Sequence, residues 1–378
     1  MADKTGFTPP EMYSEEDMEI VENYIDDTFG EVESVFHELL STHIHVDVHY
    51  IPPTPERNFI TLVTTGMGAV PMELPEGRDP KDYSRAEVMI CLPADWKLKT
   101  AIGAADGQSD EKDYWPVRIL KQLARFPIYC ETWLGWGHDV DFGEPFAENT
   151  GFCSVLLINN IFEGKEQECR LTDGDRMNFY QVIPLYREEM DYKVEYGTQG
   201  LMYCFGEEEP WLVNISRPNY GLPENVIIDK MYEHSAKIAE LELPLDELAG
   251  AAHMAHFLRW CTEHGFVTDE VKKQVVSGDL RTLIRDSYDG FLTMGMFNEA
   301  GRDFVRFYYD FYGSEIDGEE YWYPADVDNT ALEYFGEEKY NSEEFHDEAY
   351  LFVPYDDEYY KSISKKIDKA YSVYEENQ

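Results

Sequence analysis

Four side chains that can bind a metal ion alternate along one short stretch of the sequence. They are His43, His45, Asp47 and His49, and single apolar residues separate them. In a β-strand, alternate side chains point to the same face, so the pattern predicts a face with three imidazoles and one carboxylate. Imidazoles and carboxylates are zinc ligands, and zinc activates bound water for hydrolysis. The alternative interpretation is a hydrated or edge face without a metal, opposite the buried apolar residues.

A second group of histidines lies between residues 253 and 264. His253 and His256 are three residues apart in an apolar stretch, and Glu263 and His264 follow two to three helical turns later. This spacing can suit a metal ion, but no cluster of Cys or Asp residues accompanies it. We therefore interpret these histidines as core or boundary residues, and we predict neither a bound metal nor a cofactor.

The usual sequence signatures of catalysis are missing. The sequence has no phosphate-binding loop ending in Gly-Lys-Ser or Gly-Lys-Thr, and no Gly-x-Ser-x-Gly nucleophile turn. No cysteine stands in a recognisable nucleophile pattern with a histidine. We therefore predict that the protein is not an enzyme. The alternative is a metal-dependent hydrolase that uses His43, His45, Asp47 and His49.

Two apolar, β-branched runs predict the strands around which the first part of the chain is organised. They are Phe59–Thr65 and Ala86–Leu92, and a loop rich in Gly and Pro joins them. Neither run alternates cleanly between polar and apolar residues, so both faces of the sheet should be covered. Gly66 and Gly68 permit backbone angles that other residues resist, so the first strand should leave the sheet there. The expected fold class is α+β, a mixed sheet with packed helices.

Further elements are predicted on both sides of these strands. A helix begins after Ser14 and ends at Gly30, where a glycine can close it. Val32–Leu40 also has helical character, and His43–Tyr50 is the expected first strand. Another helix should run from Trp115 to Arg125.

A series of short motifs, in one order, resembles the Suppressor of Fused domain in its bacterial form. Before residue 100 the motifs are HVDV at 45–48, PTPER at 53–57, TLVTTGMG at 61–68, PM at 71–72 and AEVMICLP at 86–93. After it they are YWPVRILK at 114–121, TWLGWGH at 132–138, PLYREEM at 184–190 and SRPN at 216–219. The resemblance implies a protein-binding module without known catalysis and without a metal. In eukaryotes such a domain sequesters a signalling transcription factor, and in bacteria it recurs as an immunity protein against secreted toxins.

The length of 378 residues predicts two domains. The Suppressor of Fused-like domain should cover residues 13–220, and residues 221–247, interrupted by Pro and Gly, should form a linker. Residues 248–378 should form a mainly helical, acidic and Tyr-rich domain, with a late strand at Leu351–Val353. Within it, Gly250–Val271 resembles an uncharacterised bacterial domain found in immunity-type proteins.

Charge is the strongest compositional signal. The chain has 76 acidic and 31 basic residues, a net charge of −45. Such a surface repels nucleic acids and anionic membranes, so we predict neither as a partner. The charge could serve solubility, attraction of a basic protein, or mimicry of nucleic acid. Combined with the resemblance, it predicts a bacterial immunity protein that neutralises a basic toxin, such as a nuclease, by covering its site.

Several residues are candidates for contacts with that partner. Tryptophans near glycines and tyrosines among acidic residues can act as interface anchors, although packing inside the fold is the alternative for both. Acidic turns can attract a basic surface. The candidates are Trp133, Trp136, Glu207, Glu208, Glu209, Trp322 and Tyr323.

The cellular location is predicted from what the sequence lacks. No apolar run reaches the length of a membrane span, and the first residues have neither the basic start nor the apolar core of a signal peptide. The six cysteines show no paired spacing, which fits a reducing compartment. These features together favour the cytoplasm.

Overall fold

The computed structural model describes residues 9–38, 41, 43–98, 110–162, 168–206, 208–275, 278–309 and 313–377. The chain divides into two compact units. Unit 1 comprises Met1–Leu201 and Glu207–Asn219, and unit 2 comprises Met202–Gly206 and Tyr220–Gln378. Among the described residues, no helix combines the length and the apolar character that a membrane crossing requires.

Unit 1 is built on an eight-stranded mixed sheet. Its strands are β1 (Ser34–Phe36), β2 (Asp47–Ile51), β3 (Phe59–Thr65), β4 (Arg85–Pro93), β5 (Asp139–Asp141), β6 (Ser154–Asn159), β7 (Cys169–Arg170) and β8 (Arg176–Leu185). Their order is β1-β2-β3-β4-β8-β6-β5, and β7 pairs with β8. The pairing of β4 with β8 is parallel, and the other pairings in this sheet are antiparallel.

Apolar residues cover both faces of this sheet, as the apolar runs predicted. Side chains alternate along β3, so Leu62 joins one core cluster and Val63 joins the other. Helix α1 (Glu15–Phe29) contributes Val21 and Ile25 to the second cluster, and helix α3 (Glu111–Cys130) contributes Trp115 and Leu120 to the first. Helix α2 (Pro80–Tyr83) is one short turn. The predicted mixed sheet with packed helices is therefore confirmed.

Two local predictions in unit 1 were wrong. The segment predicted as helical around Val32–Leu40 contains strand β1, because Val35 and Phe36 pair with His49 and Val48 of β2. Long-range pairing with a neighbouring strand outweighs local helical character here. The strand expected from His43 begins only at Asp47.

Unit 2 is mainly helical, also as predicted. Unit 1 and unit 2 share helix α4 (Arg187–Phe205), which is interrupted at Gly197, where φ is 78°. The other helices are α5 (Met231–Glu240), α6 (Ala252–Glu263), α7 (Asp269–Gln274), α8 (Leu280–Ser287), α9 (Glu299–Tyr308), α10 (Tyr323–Phe335), α11 (Glu337–Tyr340) and α12 (Asp357–Glu376). The strand pairs are β9 (Ile227–Lys230) with β10 (Phe291–Thr293), and β11 (Ser314–Ile316) with β12 (Glu319–Tyr321).

The segment expected to link two domains is folded. Residues 221–247 contain strand β9 and helix α5, and they belong to unit 2, whose main part begins at Tyr220. Of the residues that suggested a linker, Pro223 begins a 3₁₀ helix, and Gly221 and Pro244 lie in a turn and a bend. The late strand expected at Leu351–Val353 is also absent, since Ala349–Phe352 forms a 3₁₀ helix.

A buried ion pair joins three segments of unit 1. Glu189 is fully buried and Arg217 is 6% exposed. Their side chains form a two-pronged pair in which Arg217 Nη2 lies 2.6 Å from Glu189 Oε2. The guanidinium also donates to the carbonyl of Pro184 at the end of β8 and lies over the ring of Phe152. The end of β8, the start of α4 and residues 214–219 are thereby held together.

We expect removal of one partner of this pair to destabilise unit 1 strongly. Arg217→Met leaves the Glu189 carboxylate buried without its cation, which typically costs roughly 3–5 kcal/mol. The matched control is Arg187→Met, which breaks the exposed pair with Asp141 and should have a much smaller effect. Urea unfolding gives both free energies of unfolding, and equal losses for the two variants would contradict this account.

Candidate functional site

A single buried carboxylate organises the loop after strand β3. Glu87 of β4 is completely buried. Its Oε1 accepts hydrogen bonds from the Tyr13 hydroxyl at 2.5 Å, from Gly66 N–H at 2.8 Å and from Gly68 N–H at 3.1 Å. Its Oε2 accepts a hydrogen bond from the Thr64 hydroxyl at 2.6 Å. Four donors from two separate segments, Tyr13 and residues 64–68, therefore meet at one side chain.

The two glycines in this loop are required by the space around them. Gly66 has φ of 117°, and a Cβ atom there would lie 1.9 Å from the backbone oxygen of His45. At Gly68 a Cβ atom would lie 2.5 Å from the hydroxyl oxygen of Tyr13. Larger residues would therefore displace the backbone N–H groups that bind Glu87. The predicted departure of the strand at Gly66 occurs because this carboxylate turns the backbone out of the sheet.

The same loop supports the segment that carries the tryptophans. Arg85 of β4 donates to the carbonyls of Gly68 and Ala69 and so holds the loop from its other side. Met72, a few residues further on, accepts a hydrogen bond at its sulfur from Leu134 N–H at 3.4 Å. Leu134 lies between the two predicted anchor tryptophans. The carboxylate of Glu87 is thus connected to residues 133–138 through ordered backbone.

Contacts on all sides hold residues 133–138 in place. The ring of Trp133 packs edge-on against His138, with 4.4 Å between centroids, and the guanidinium of Arg78 lies 5.2 Å from it. Gly137 N–H donates to the carbonyl of Leu157 in β6 at 2.7 Å. The carbonyl of Gly137 accepts from the Thr198 hydroxyl of α4 at 3.3 Å. Burial lowers the pKa of His138, so its ring is neutral at neutral pH.

Exposed aromatic side chains lie on and beside this segment. Trp136 is 50% exposed, Trp133 is partly buried, and Arg78 lies between Trp133 and the exposed ring of Tyr83. We call Tyr83, Trp133 and Trp136 the tryptophan surface. Rigid exposed aromatic rings are typical anchors of protein interfaces.

The other predicted contact residues have different positions. Glu208 and Glu209 are exposed in unit 1, and Glu207 lies outside the described residues. Trp322 is half-buried in unit 2. Tyr323 is fully buried, and its hydroxyl donates to the carbonyl of His253 at 2.7 Å. The prediction of Tyr323 as a surface anchor is therefore corrected, because the ring is part of the core of unit 2.

Many tyrosines near acidic residues are likewise internal. Tyr308 donates to Asp326 at 2.7 Å, and Tyr360 donates to Glu263 at 2.5 Å. Both rings are buried. The interleaving of Tyr and acid in the sequence is thus in part a pattern of internal hydrogen bonds between phenol and carboxylate. It does not by itself mark a surface for a partner.

The four alternating residues of the predicted zinc face do not come together. His49 is buried and bonds to the Thr65 hydroxyl at 2.9 Å, and His43 precedes the strand and packs against Tyr129. Only His45 and Asp47 remain in contact, at 3.1 Å. The alternative prediction, a hydrolase site built on all four residues, is therefore wrong. Strand β2 begins only at Asp47, and both of its faces are covered.

A different residue, which the strand pattern did not include, completes a cluster with His45 and Asp47. His37 Nδ1 lies 2.9 Å from Asp47 Oδ2. His37 follows strand β1, which pairs with β2. Since the sequence predicted a helix there, nothing in its pattern connected His37 to Asp47. This cluster lies at the surface of unit 1, with 69% of the His37 side chain exposed.

A second cluster, in unit 2, contains residues of the expected linker and a histidine of helix α6. Asp229 of β9 contacts His234 Nε2 at 2.8 Å and His253 Nε2 at 2.9 Å. Asp229 also accepts from the Tyr309 hydroxyl at 2.6 Å. Of these residues, only His253 was recognised as a candidate from the sequence, whereas Asp229 and His234 were not. No local spacing relates them, because β9, α5 and α6 meet only in the folded unit.

Two parts of the chain match two family models. Residues 42–218 match the family model of Suppressor of fused protein (SUFU). Residues 227–342 match the model of Domain of unknown function (DUF7832). The resemblance predicted from the motifs is thereby confirmed. An uncharacterised protein of Ureaplasma parvum serovar 3 is 24% identical over 209 residues, which is 55% of this chain and 97% of the relative.

Solved structures of Suppressor of fused proteins are similar to part of the chain. A Suppressor of fused homologue from Neisseria gonorrhoeae has a TM-score of 0.38 at 16% identity, covering 54% of this chain and 96% of that chain. Drosophila Suppressor of Fused has a TM-score of 0.41 at 12% identity, covering 59% of this chain and 56% of its own. A chain of the Sufu–Fu complex has a TM-score of 0.39 at 12% identity, covering 63% and 100%.

The buried carboxylate predicts a pH dependence of stability. Burial raises the pKa of Glu87 from 4.5 to about 7, in spite of its four hydrogen-bond donors. Because the folded pKa exceeds the unfolded one, folding favours the protonated form. The resulting stabilisation is complete below about pH 4.5 and is lost as the pH rises through 7, by up to roughly 3 kcal/mol.

Urea unfolding of the wild type and of Glu87→Gln between pH 4.5 and 8 tests this dependence. The glutamine does not titrate, so the difference in free energy of unfolding between the two proteins should vary with pH in this window. The exposed change Glu338→Gln is the matched control and should leave the wild-type curve unchanged. A constant difference between the wild type and Glu87→Gln would show that Glu87 keeps one protonation state throughout.

Proposed function

We propose that this chain, in which residues 42–218 form a Suppressor of fused domain, is a non-enzymatic protein that binds another protein through the tryptophan surface of unit 1. The proposal rests on Trp136, which is half-exposed in a segment that hydrogen bonds fix to Met72 and Thr198. A rigid exposed aromatic side chain loses little conformational entropy on binding and offers a large contact area.

The partner that suits this chain is a basic protein. The net charge of −45 produces a field that attracts positively charged surfaces and repels nucleic acids. Opposite net charges raise association rates by roughly 10- to 1,000-fold, and salt removes this gain. At about 0.15 M salt the screening length is about 8 Å, so distant charges act mainly on the association rate. The strength of binding comes from a few desolvated anchors, with Trp136 first among them.

The biological role that accounts for the acidic charge and the binding surface is immunity to a toxin. A basic toxin, such as a nuclease that must bind nucleic acid, carries a positive active-site surface. An acidic binding protein that covers this surface neutralises the toxin without any chemistry of its own. The resemblance of the motifs to the bacterial form of the domain supports this role, and the attraction of a basic partner supports it independently.

Co-expression tests the role directly. A toxin domain encoded beside this gene should arrest growth when expressed alone, and this chain should restore growth and co-purify with the toxin. Restored growth without co-purification would contradict neutralisation by direct binding. If no neighbouring toxin exists, and no basic protein is retained at low salt, the proposal fails.

Removal of the Trp136 side chain should raise the rate at which the partner dissociates. We expect Trp136→Ala to weaken binding of the partner by about 2 kcal/mol, or roughly 30-fold, almost entirely through faster dissociation. Tyr334→Ala is the matched control, since Tyr334 is similarly exposed, at 47%, but belongs to unit 2. Surface plasmon resonance measures both rates, and equal effects of the two variants would place the interface elsewhere.

Removal of acidic charge should lower the rate at which the partner associates. We expect Glu208→Gln with Glu209→Gln to slow association modestly and to leave dissociation nearly unchanged. Glu337→Gln with Glu338→Gln changes the net charge equally in unit 2, and a smaller effect of this pair would indicate that Glu208 and Glu209 act close to the partner. An association rate that stays constant from low to high salt would show that the −45 charge serves solubility alone.

A further inference from the structure

The cluster at Asp229 brings two histidines and one carboxylate to a single point in unit 2. Asp229 lies on strand β9, His234 in the first turns of helix α5 and His253 at the start of helix α6. Each histidine directs its Nε2 atom to a different oxygen of the same carboxylate, at 2.8 and 2.9 Å. The two rings are nearly perpendicular, with 4.6 Å between centroids. One nitrogen of each ring and a carboxylate oxygen all lie within 4.8 Å of one another.

We propose that Asp229, His234 and His253 form a binding site for a divalent first-row transition-metal ion, with Zn²⁺ as the best-suited ion. Two imidazole nitrogens and one carboxylate oxygen form a set that zinc, iron and cobalt accept, whereas Ca²⁺ and Mg²⁺ prefer oxygen ligands alone. This site lies in unit 2, so it is independent of the tryptophan surface and of the function proposed for it.

The two hydrogen-bonded distances between the rings and the carboxylate must widen slightly to admit the ion. Zn²⁺ binds nitrogen and oxygen at about 2.0–2.2 Å, so ligand atoms around a tetrahedral ion lie roughly 3.3 Å apart. The present nitrogen–oxygen distances of 2.8 and 2.9 Å must therefore widen by about half an ångström. The ion takes the place of the protons that now lie between each ring and the carboxylate.

Residues around the three ligands are placed as outer supports. The Tyr350 hydroxyl lies 2.7 Å from His234 Nδ1, which fixes the ring while its Nε2 faces Asp229. The Tyr309 hydroxyl and the backbone N–H of Lys230 each bond to one oxygen of Asp229, so the carboxylate remains held when it turns to the ion. Partners of this kind orient metal ligands and raise their affinity.

His253 can change its tautomer when the ion binds. Its Nδ1 atom is buried and has no hydrogen-bond partner among the described residues. The ring proton can therefore move from Nε2 to Nδ1 without breaking a hydrogen bond at Nδ1. This frees Nε2 for the ion and leaves an unpaired N–H at Nδ1.

The side chains of Asp229 and His234 are 14% and 20% exposed, so solvent reaches the site and water can fill a further ligand position.

Isothermal titration of the metal-stripped full chain with Zn²⁺ tests the site. The competing cluster in unit 1 is first removed by His37→Gln, and all further changes are made in that variant. We expect one Zn²⁺ per chain in His37→Gln, a rise in its melting temperature with Zn²⁺, and a Co²⁺ complex with visible absorption. Ca²⁺ should cause neither the heat of binding nor the rise in melting temperature.

Three further changes distinguish a metal site from a hydrogen-bonded network. His234→Gln removes a ligand and should weaken Zn²⁺ binding by more than about 100-fold, whereas Tyr350→Phe removes only an outer support and should weaken it by roughly 10-fold. Tyr350→Phe keeps the test decisive if His234→Gln does not fold. His264→Gln is the matched control, since His264 ends the same helix as His253 but stacks on Trp260, and it should leave binding unchanged.

Two results would overturn the proposal. The first is an absence of Zn²⁺ binding by the folded His37→Gln chain, which would leave the cluster as a hydrogen-bonded support of unit 2. The second is binding that neither His234→Gln nor Tyr350→Phe alters, which would place the ion at other residues.

Discussion

The burial of one carboxylate, Glu87, is the constraint on which the candidate surface depends. A buried carboxyl group must find hydrogen-bond partners, and here Tyr13, Thr64, Gly66 and Gly68 supply four donors. To deliver two of them, the backbone after β3 must turn sharply out of the sheet, which only glycine permits at Gly66. The loop formed in this way carries Met72, which in turn supports the segment with the tryptophans.

Unit 1 therefore combines buried polar anchors with an exposed aromatic surface. Glu87 supports the tryptophan segment through the loop after β3, and Thr198 of helix α4 contacts the same segment at Gly137. A surface with these supports is already ordered before it meets a partner, so binding need not expend free energy on ordering it. The acidic charge of the chain acts at a different stage, during the approach of a basic protein.

Unit 2 uses its acidic residues differently. Carboxylates such as Asp326 and Glu263 accept hydrogen bonds from buried tyrosines, and Asp229 joins two histidines and a tyrosine. A charge near the interior is tolerated only where such donors meet it. The density of Tyr and acid in this part of the chain therefore reflects packing as well as surface charge. Asp229 differs from the others because its partners are also the preferred ligands of transition metals.

The sequence by itself determined the sheet runs, the apolar cover on both faces, the helix start at Ser14, and the similarity of residues 42–218 to Suppressor of fused protein. These depend on local chemistry, namely side-chain alternation, capping and glycine placement, or on motifs in a fixed order. Only the tertiary structure decided that β1 replaces a helix, that His49 and Tyr323 are buried, and that Asp229 meets His253. Each of these results from contacts between segments far apart in the chain, whose partners no local periodicity identifies.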